Sequence, residues 1–142
     1  MSAPAPLRLR TGSLTVLLGA DDDRHAVLAA LDEATARCAG GHGVPGAVRL
    51  QLDPEASAAE RHALVEMHGG LAVVLADRPT AGLDAAGRRR VLQALRDLAA
   101  TGTAVLVDDV DPVAALAVAD AALRVAGDGA LSVEDLAVPA LD

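Results

Sequence analysis

Six aspartates sit where chemistry would be expected, each just beyond a short apolar run. Asp21, Asp22 and Asp23 follow LTVLL (Leu14–Leu18) and Gly19, Asp77 follows LAVVLA (Leu71–Ala76), and Asp108–Asp109 follow TAVLV (Thr103–Val107). If the runs are parallel strands, these carboxylates gather at one sheet edge and could hold Mg²⁺ through oxygen ligands. The opposing reading is solvated loop acidity relieved by arginines. For Asp21–Asp23 it is a helix start favoured by the macrodipole. Nothing in the chain can pair those carboxylates with an amine, because it contains no lysine. A Schiff base, or the lysine that grips phosphate in a nucleotide-binding loop, is therefore excluded in its usual form. His25, His42, His62 and His68 lack zinc spacing, and Cys38, the single cysteine, excludes an internal disulfide and a thiolate cage. Cys38 reads as a small helix-face residue. Arg88–Arg90 reads as a solvated helix face or a contact for an acidic partner.

The elements that must carry these groups follow from periodicity. Leu14–Leu18, Leu71–Ala76 and Thr103–Val107 are continuous apolar runs, the mark of buried parallel strands, and Val48–Leu52 alternates as a half-exposed strand. Residues from about Asp23 to Arg37 carry Ala26, Val27, Ala30, Leu31 and Ala34 at helical spacing, and the Gly-rich Ala39–Gly46 reads as a loop. Ser57 and Glu60 have capping-box spacing and open a helix to about Met67, which His68-Gly69-Gly70 ends. Val91, Leu92, Leu95, Leu98 and Ala99 line one face of a helix over about Ala85–Ala100. A short helix over Pro112–Ala119 and a pair of strands, Ala122–Val125 and Ala130–Val133, complete the order. Strands alternating with amphipathic helices predict an α/β fold, three-layered, with a mostly parallel sheet covered on both faces.

Composition limits the partners. The chain has 142 residues, 52% of them hydrophobic, and a net charge of −8. One domain over residues 1–142 is expected, with a loose lead-in over 1–6. The acidity argues against nucleic acid or an anionic membrane as main partner. The absence of Phe, Tyr and Trp excludes base stacking on aromatic rings. Neither a basic-then-apolar leader nor an apolar span of about 20 residues occurs, so a cytoplasmic domain without membrane insertion is expected.

Leu71–Asp84 reads LAVVLADRPTAGLD. It closely resembles the Walker B strand and D-loop of ABC-transporter ATPases, where an apolar run leads into DEPTAGLD. The resemblance continues through AAGRRRVLQALRDLAATGTAVLV and Asp111–Asp120 to Leu123–Leu131. It implies a P-loop NTPase fold, with Asp77 at the Walker B aspartate and its metal, and Pro79, Thr80, Gly82 and Asp84 in a D-loop that faces a partner. Arg78 stands where the family has its catalytic glutamate. With that anchor, Gly19–Val27 (GADDDRHAV) falls on the phosphate loop. Gly19 keeps the first glycine, Asp22 and Arg24 replace the other two, His25 takes the lysine position and Ala26 the Mg²⁺-binding hydroxyl. Ala56–Arg61 (ASAAER) resembles the signature LSGGER, keeping Ser57, Glu60 and Arg61. Gln51 falls on the Q-loop, and Asp109 stands at the switch histidine. The span from His25 to Asp77 is much shorter than in an intact cassette, which implies loss of most of the helical subdomain.

Hydrolysis is the least supported activity, since Arg78 cannot serve as a base and the lysine, hydroxyl and histidine positions fail with it. No residue is assigned a catalytic role, and the chain is not expected to be an active ATPase. The resemblance implies a degenerate ABC-type domain that needs no cofactor. It would be an accessory or regulatory partner of an intact ABC ATPase, or a homodimer. Two alternatives stay open. One is a weak ATP- and Mg²⁺-binding subunit of a transporter pair. The other is a Mg²⁺-binding acidic α/β domain of unrelated chemistry.

Overall fold

The computed structural model describes residues 11–30, 47–69, 73–128 and 130–135. The expectations for residues 1–6, the Gly-rich loop, Arg37, Cys38 and His42 lie outside them. Strands β1 (Leu14–Leu18), β2 (Ala47–Gln51), β3 (Val73–Asp77), β4 (Ala104–Asp108), β5 (Ala121–Val125) and β6 (Leu131–Asp135) form one sheet in the order β2-β3-β4-β1-β5-β6. The first five are parallel, and β6 returns antiparallel to β5. Register puts Gln51 beside Asp77 and Asp77 beside Asp108, so the strands end together at one carboxyl edge.

Helices cover both faces, as continuous apolar strands require. Helix α1 has its described turns over residues 21–30, and its Leu28 packs on Leu17, Leu75, Leu106 and Leu123. The opposite face carries α2 (Ala58–Glu66), α3 (Ala85–Ala100) and α4 (Pro112–Leu116), which pack Val65, Val91, Leu92, Leu95 and Ala115 on Val16, Val74, Val105 and Val107. Each Leu or Val so buried contributes about 1.5–3 kcal/mol. Helix α3 spans the expected residues and buries the expected stripe. The capping box is present: the Ser57 hydroxyl accepts from the Glu60 N–H at 3.1 Å, and the Ser57 N–H donates to the Glu60 carboxylate at 3.0 Å.

Two local expectations shift. Helix α1 starts at residue 21, not 23, because the aspartates form its first turn rather than preceding it. Helix α4 stops at Leu116, after which Val118 and Ala119 make i→i−3 turn bonds instead of continuing. Among the described residues no helix is long and apolar enough to cross a membrane.

The connections fix where a ligand crevice must open. From β1 the chain leaves over the α1 face toward β2, whereas from β4 it leaves over the opposite face, through α4, toward β5. Adjacent strands whose connections depart to opposite faces open a crevice at their carboxyl ends. Here that place lies between β1 and β4.

Candidate functional site

Gly19 and Ala20 are the whole turn between β1 and α1. The Arg24 N–H already donates to the Ala20 carbonyl at 2.9 Å, an i→i−4 helical bond. Gly19 has φ 137°, and a Cβ there would lie 2.6 Å from the Val125 carbonyl oxygen, so β5 admits only glycine at this point. Residues 21–26, aligned above with a phosphate loop, thus occupy helical turns. A phosphate loop cradles anions with convergent N–H groups of a wide, glycine-lined turn. In this chain those positions carry Asp21, Asp22 and Asp23 at the helix start, and the Ala26 side chain has no hydroxyl to offer Mg²⁺.

The crevice between β1 and β4 holds Arg24. The residue is 8% exposed, and its guanidinium lies over the end of β4, with Nε 3.4 Å from the Asp108 carboxylate and Nη2 bonded to Asp21. His25 Nε2 approaches the other Asp108 oxygen at 3.7 Å. Asp108 is 1% exposed. Burial pushes its carboxyl above the usual range, and the Asp77 charge adds to this, while Arg24, His25 and Arg78 oppose it. Neither Arg24 Nε nor Asp108 Oδ2 completes a hydrogen bond. The pair closes the crevice electrostatically but imperfectly.

Each neighbouring carboxylate has its own partner. Asp77 accepts from Arg49 Nη2 at 2.8 Å and from Gln51 Nε2 at 3.4 Å. Asp109, expected at a switch position, is 2% exposed and turned away from the crevice, accepting from the Thr80 N–H at 3.2 Å and the Thr80 hydroxyl at 2.7 Å. The carboxylates expected to hold Mg²⁺ do share one edge, with Asp77 beside Asp108 in register, but they do not close on one point. Among the described residues no three Asp, Glu, His or Cys groups converge on a cation position. Arg24 takes up Asp21 and Asp108, Arg49 takes up Asp77, and Thr80 takes up Asp109.

The PTAGLD turn is held from within. Arg61, from the signature-like segment, is 1% exposed and donates to three carbonyls, those of Ala56 (3.1 Å), Pro54 (2.9 Å) and Pro79 (3.0 Å). Arg88 Nε reaches the Thr80 hydroxyl at 3.3 Å, and its Nη2 donates to the Leu83 carbonyl at 3.1 Å. Gly82 has φ 80°, closed by the Leu83 N–H on the Thr80 carbonyl at 3.1 Å. Asp84 caps α3, accepting from the Gly87 N–H at 2.8 Å. Pro79 and Thr80 are therefore interior residues, while Gly82 and Asp84 stay on the surface.

Arg61, expected in a signature-like segment, and Asp109, expected at a switch position, both bond to the PTAGLD turn, at Pro79 and Thr80. Sequence reasoning did not single out Arg49, although VRLQL puts Arg49 and Gln51 on the same strand face, which was a usable signal. The pairing of Arg24 with Asp108 joins residues far apart in sequence and has no local signature.

Comparison with solved structures identifies the fold. A structure of the ATP-binding subunit of an ABC transporter superposes with TM-score 0.64 at 12% identity, covering 92% of this chain and 81% of that one. A dimeric bacterial ABC transporter cassette gives 0.61 at 15% identity over 92% of this chain and 88% of its own. An RNase-L inhibitor structure gives 0.59 at 12% identity over 89% of this chain, which spans only 38% of it. No family model matches the sequence, and no curated protein matches it significantly. The α/β fold is that of an ATP-binding cassette.

Proposed function

We propose that this cassette-like domain acts by protein contact and without nucleotide. The carrying observation is the β1–β4 crevice, where a two-residue turn and the Arg24–Asp108 pair stand in place of a phosphate cradle. Three aspartates at the start of α1 would oppose a triphosphate there. Each unit-charge repulsion at about 4 Å costs on the order of 1 kcal/mol in water and more when partly buried. Arg78, at the position of the general base, carries no proton acceptor. The reading is a noncatalytic, accessory or regulatory domain, with neither ATP nor Mg²⁺ as resident ligand.

A surface beside the retained turn supports contact. Val110, just before α4, and Val113, in its first turn, are 46% and 76% exposed, and Arg88 ties the α4 cap Asp111, at 3.4 Å, to the Leu83 carbonyl of the turn. Similar structures are recorded in assemblies: two are dimeric cassettes, and one is an archaeal ribosome recycling factor in complex with a ribosomal stalk protein. An intact ABC ATPase or a second copy of this chain are the partners we favour, and the cytoplasm the compartment.

Thermal unfolding with Mg²⁺ alone, ATP alone and both, at millimolar ligand, tests the reading. Binding at about 100 times Kd stabilises by about 2.7 kcal/mol, a midpoint shift of several degrees. No shift in any condition is expected. A shift with ATP would replace this reading by that of a nucleotide-dependent subunit, and one with Mg²⁺ alone by an acidic metal site.

A further inference from the structure

Arg78 is the only non-glycine residue with positive φ among those described, at 51°. It also precedes Pro79, and a residue before proline is normally extended. Two neighbours hold this unfavourable geometry in place: the Arg78 N–H donates to the Asp108 carbonyl at 2.7 Å, and Arg61 fixes the Pro79 carbonyl. Glycine would take the same backbone without strain. Strain of this kind, held by the surroundings at a cleft, is a pointer to a binding role.

The cleft is present. A hollow of about 300 Å³ at the carboxyl edge is lined by Gln51, Leu52, Pro54, Asp77, Arg78 and Ala81. The Arg78 side chain is exposed and makes no hydrogen bond or ion pair among the described residues. Arg49 already neutralises Asp77, so the unbalanced charge facing the hollow is the Arg78 guanidinium. Its remaining walls at Leu52, Pro54 and Ala81 are apolar, and the Gln51 amide adds a polar group on the Asp77 side.

We propose that this hollow receives the carboxylate of a glutamate or aspartate side chain from a partner protein, with Arg78 as its anchor. The proposal rests on the contact reading above and names the chemistry of that contact. A planar carboxylate meets the guanidinium fork through two N–H groups, and its methylene neck lies on the apolar walls. A protein side chain suits this site better than a free small acid, because one cation in an open hollow holds a lone anion weakly and neighbouring contacts must add to it.

The test titrates the full chain, without nucleotide, with the peptide acetyl-Ala-Leu-Glu-Leu-Ala-amide and with its Gln counterpart. Binding is read from the NMR signals of the Arg78 Nε–H and of the Leu52 and Ala81 amides. The glutamate peptide is expected to bind at least about tenfold more tightly, the factor that corresponds to about 1.4 kcal/mol. The preference should disappear in Arg78→Gly, a variant whose backbone suits the fold better than the parent. Equal binding of both peptides, or a glutamate preference that survives Arg78→Gly, overturns the proposal. So does tighter binding of free propionate than of the glutamate peptide, which would make the ligand a small acid. Failure of the nucleotide-free reading shows instead as stabilisation by ATP, so either can fail alone.

Discussion

Arg61 offers the sharpest test of how the retained turn is held. Its guanidinium has no carboxylate partner among the described residues and is buried against the carbonyls of Pro54, Ala56 and Pro79. The bond to Pro79 is fully buried, and the two to the 54–56 loop are partly so. A hydrogen bond to a charged group is worth about 1.5–3 kcal/mol when buried and nearer 1 kcal/mol when water can replace it. Arg61→Ala therefore costs about 4 kcal/mol, about half of it from leaving the Pro79 carbonyl unpaired. For a chain of this size that lowers Tm by about 10–15 °C, read by calorimetry. Arg61→Lys keeps the charge but not the planar fork that spans three carbonyls, and should lose about half as much. Hydrogen exchange at Leu83, whose N–H closes the turn, should quicken in Arg61→Ala more than exchange at Val105 in the sheet. A cost below about 1 kcal/mol would refute the reasoning, since the turn would then stand without its staple.

Other substitutions test the remaining joints. Gly19→Ala forces a Cβ to 2.6 Å from the Val125 carbonyl at φ 137° and should cost more than about 2 kcal/mol by urea denaturation. Ser57→Ala removes the cap of α2 and should cost about 1 kcal/mol. Asp108 has a folded pKa raised by burial, so the folded state binds its proton more readily than the unfolded chain does. Stability from this group should then fall as pH rises from the ordinary aspartate range through the raised pKa, and level off above it. Asp108→Asn should lack that component in a pH series of urea midpoints, and an identical pH profile in both proteins would contradict the assignment.

The sheet was legible because its central strands are unbroken apolar runs, and nothing but two covered faces accommodates LTVLL, LAVVLA and TAVLV in one small domain. The α3 stripe and the Ser57–Glu60 cap were legible for the same local reason: each is written within a few residues. The site was not. The resemblance anchored on PTAGLD put Gly19–Val27 on a phosphate loop, but Asp21–Asp23 are good first-turn residues and the helix starts there. Arg61 sits in a polar stretch of α2 and is interior because the carbonyls of Pro54, Ala56 and Pro79 close around it. Asp109 and Thr80 are 29 positions apart and meet only because β3 and β4 lie side by side. Such contacts belong to the tertiary arrangement and leave no period to read.

The central claim is that the crevice between β1 and β4 is closed by the protein's own side chains. A crystal structure grown with millimolar Mg²⁺ and a nonhydrolysable ATP analogue tests it most directly. The account predicts Arg24 on Asp108, α1 beginning two residues after Gly19, and no triphosphate at the start of that helix. A nucleotide whose phosphates lie at residues 20–25, with Arg24 swung off Asp108, would contradict it.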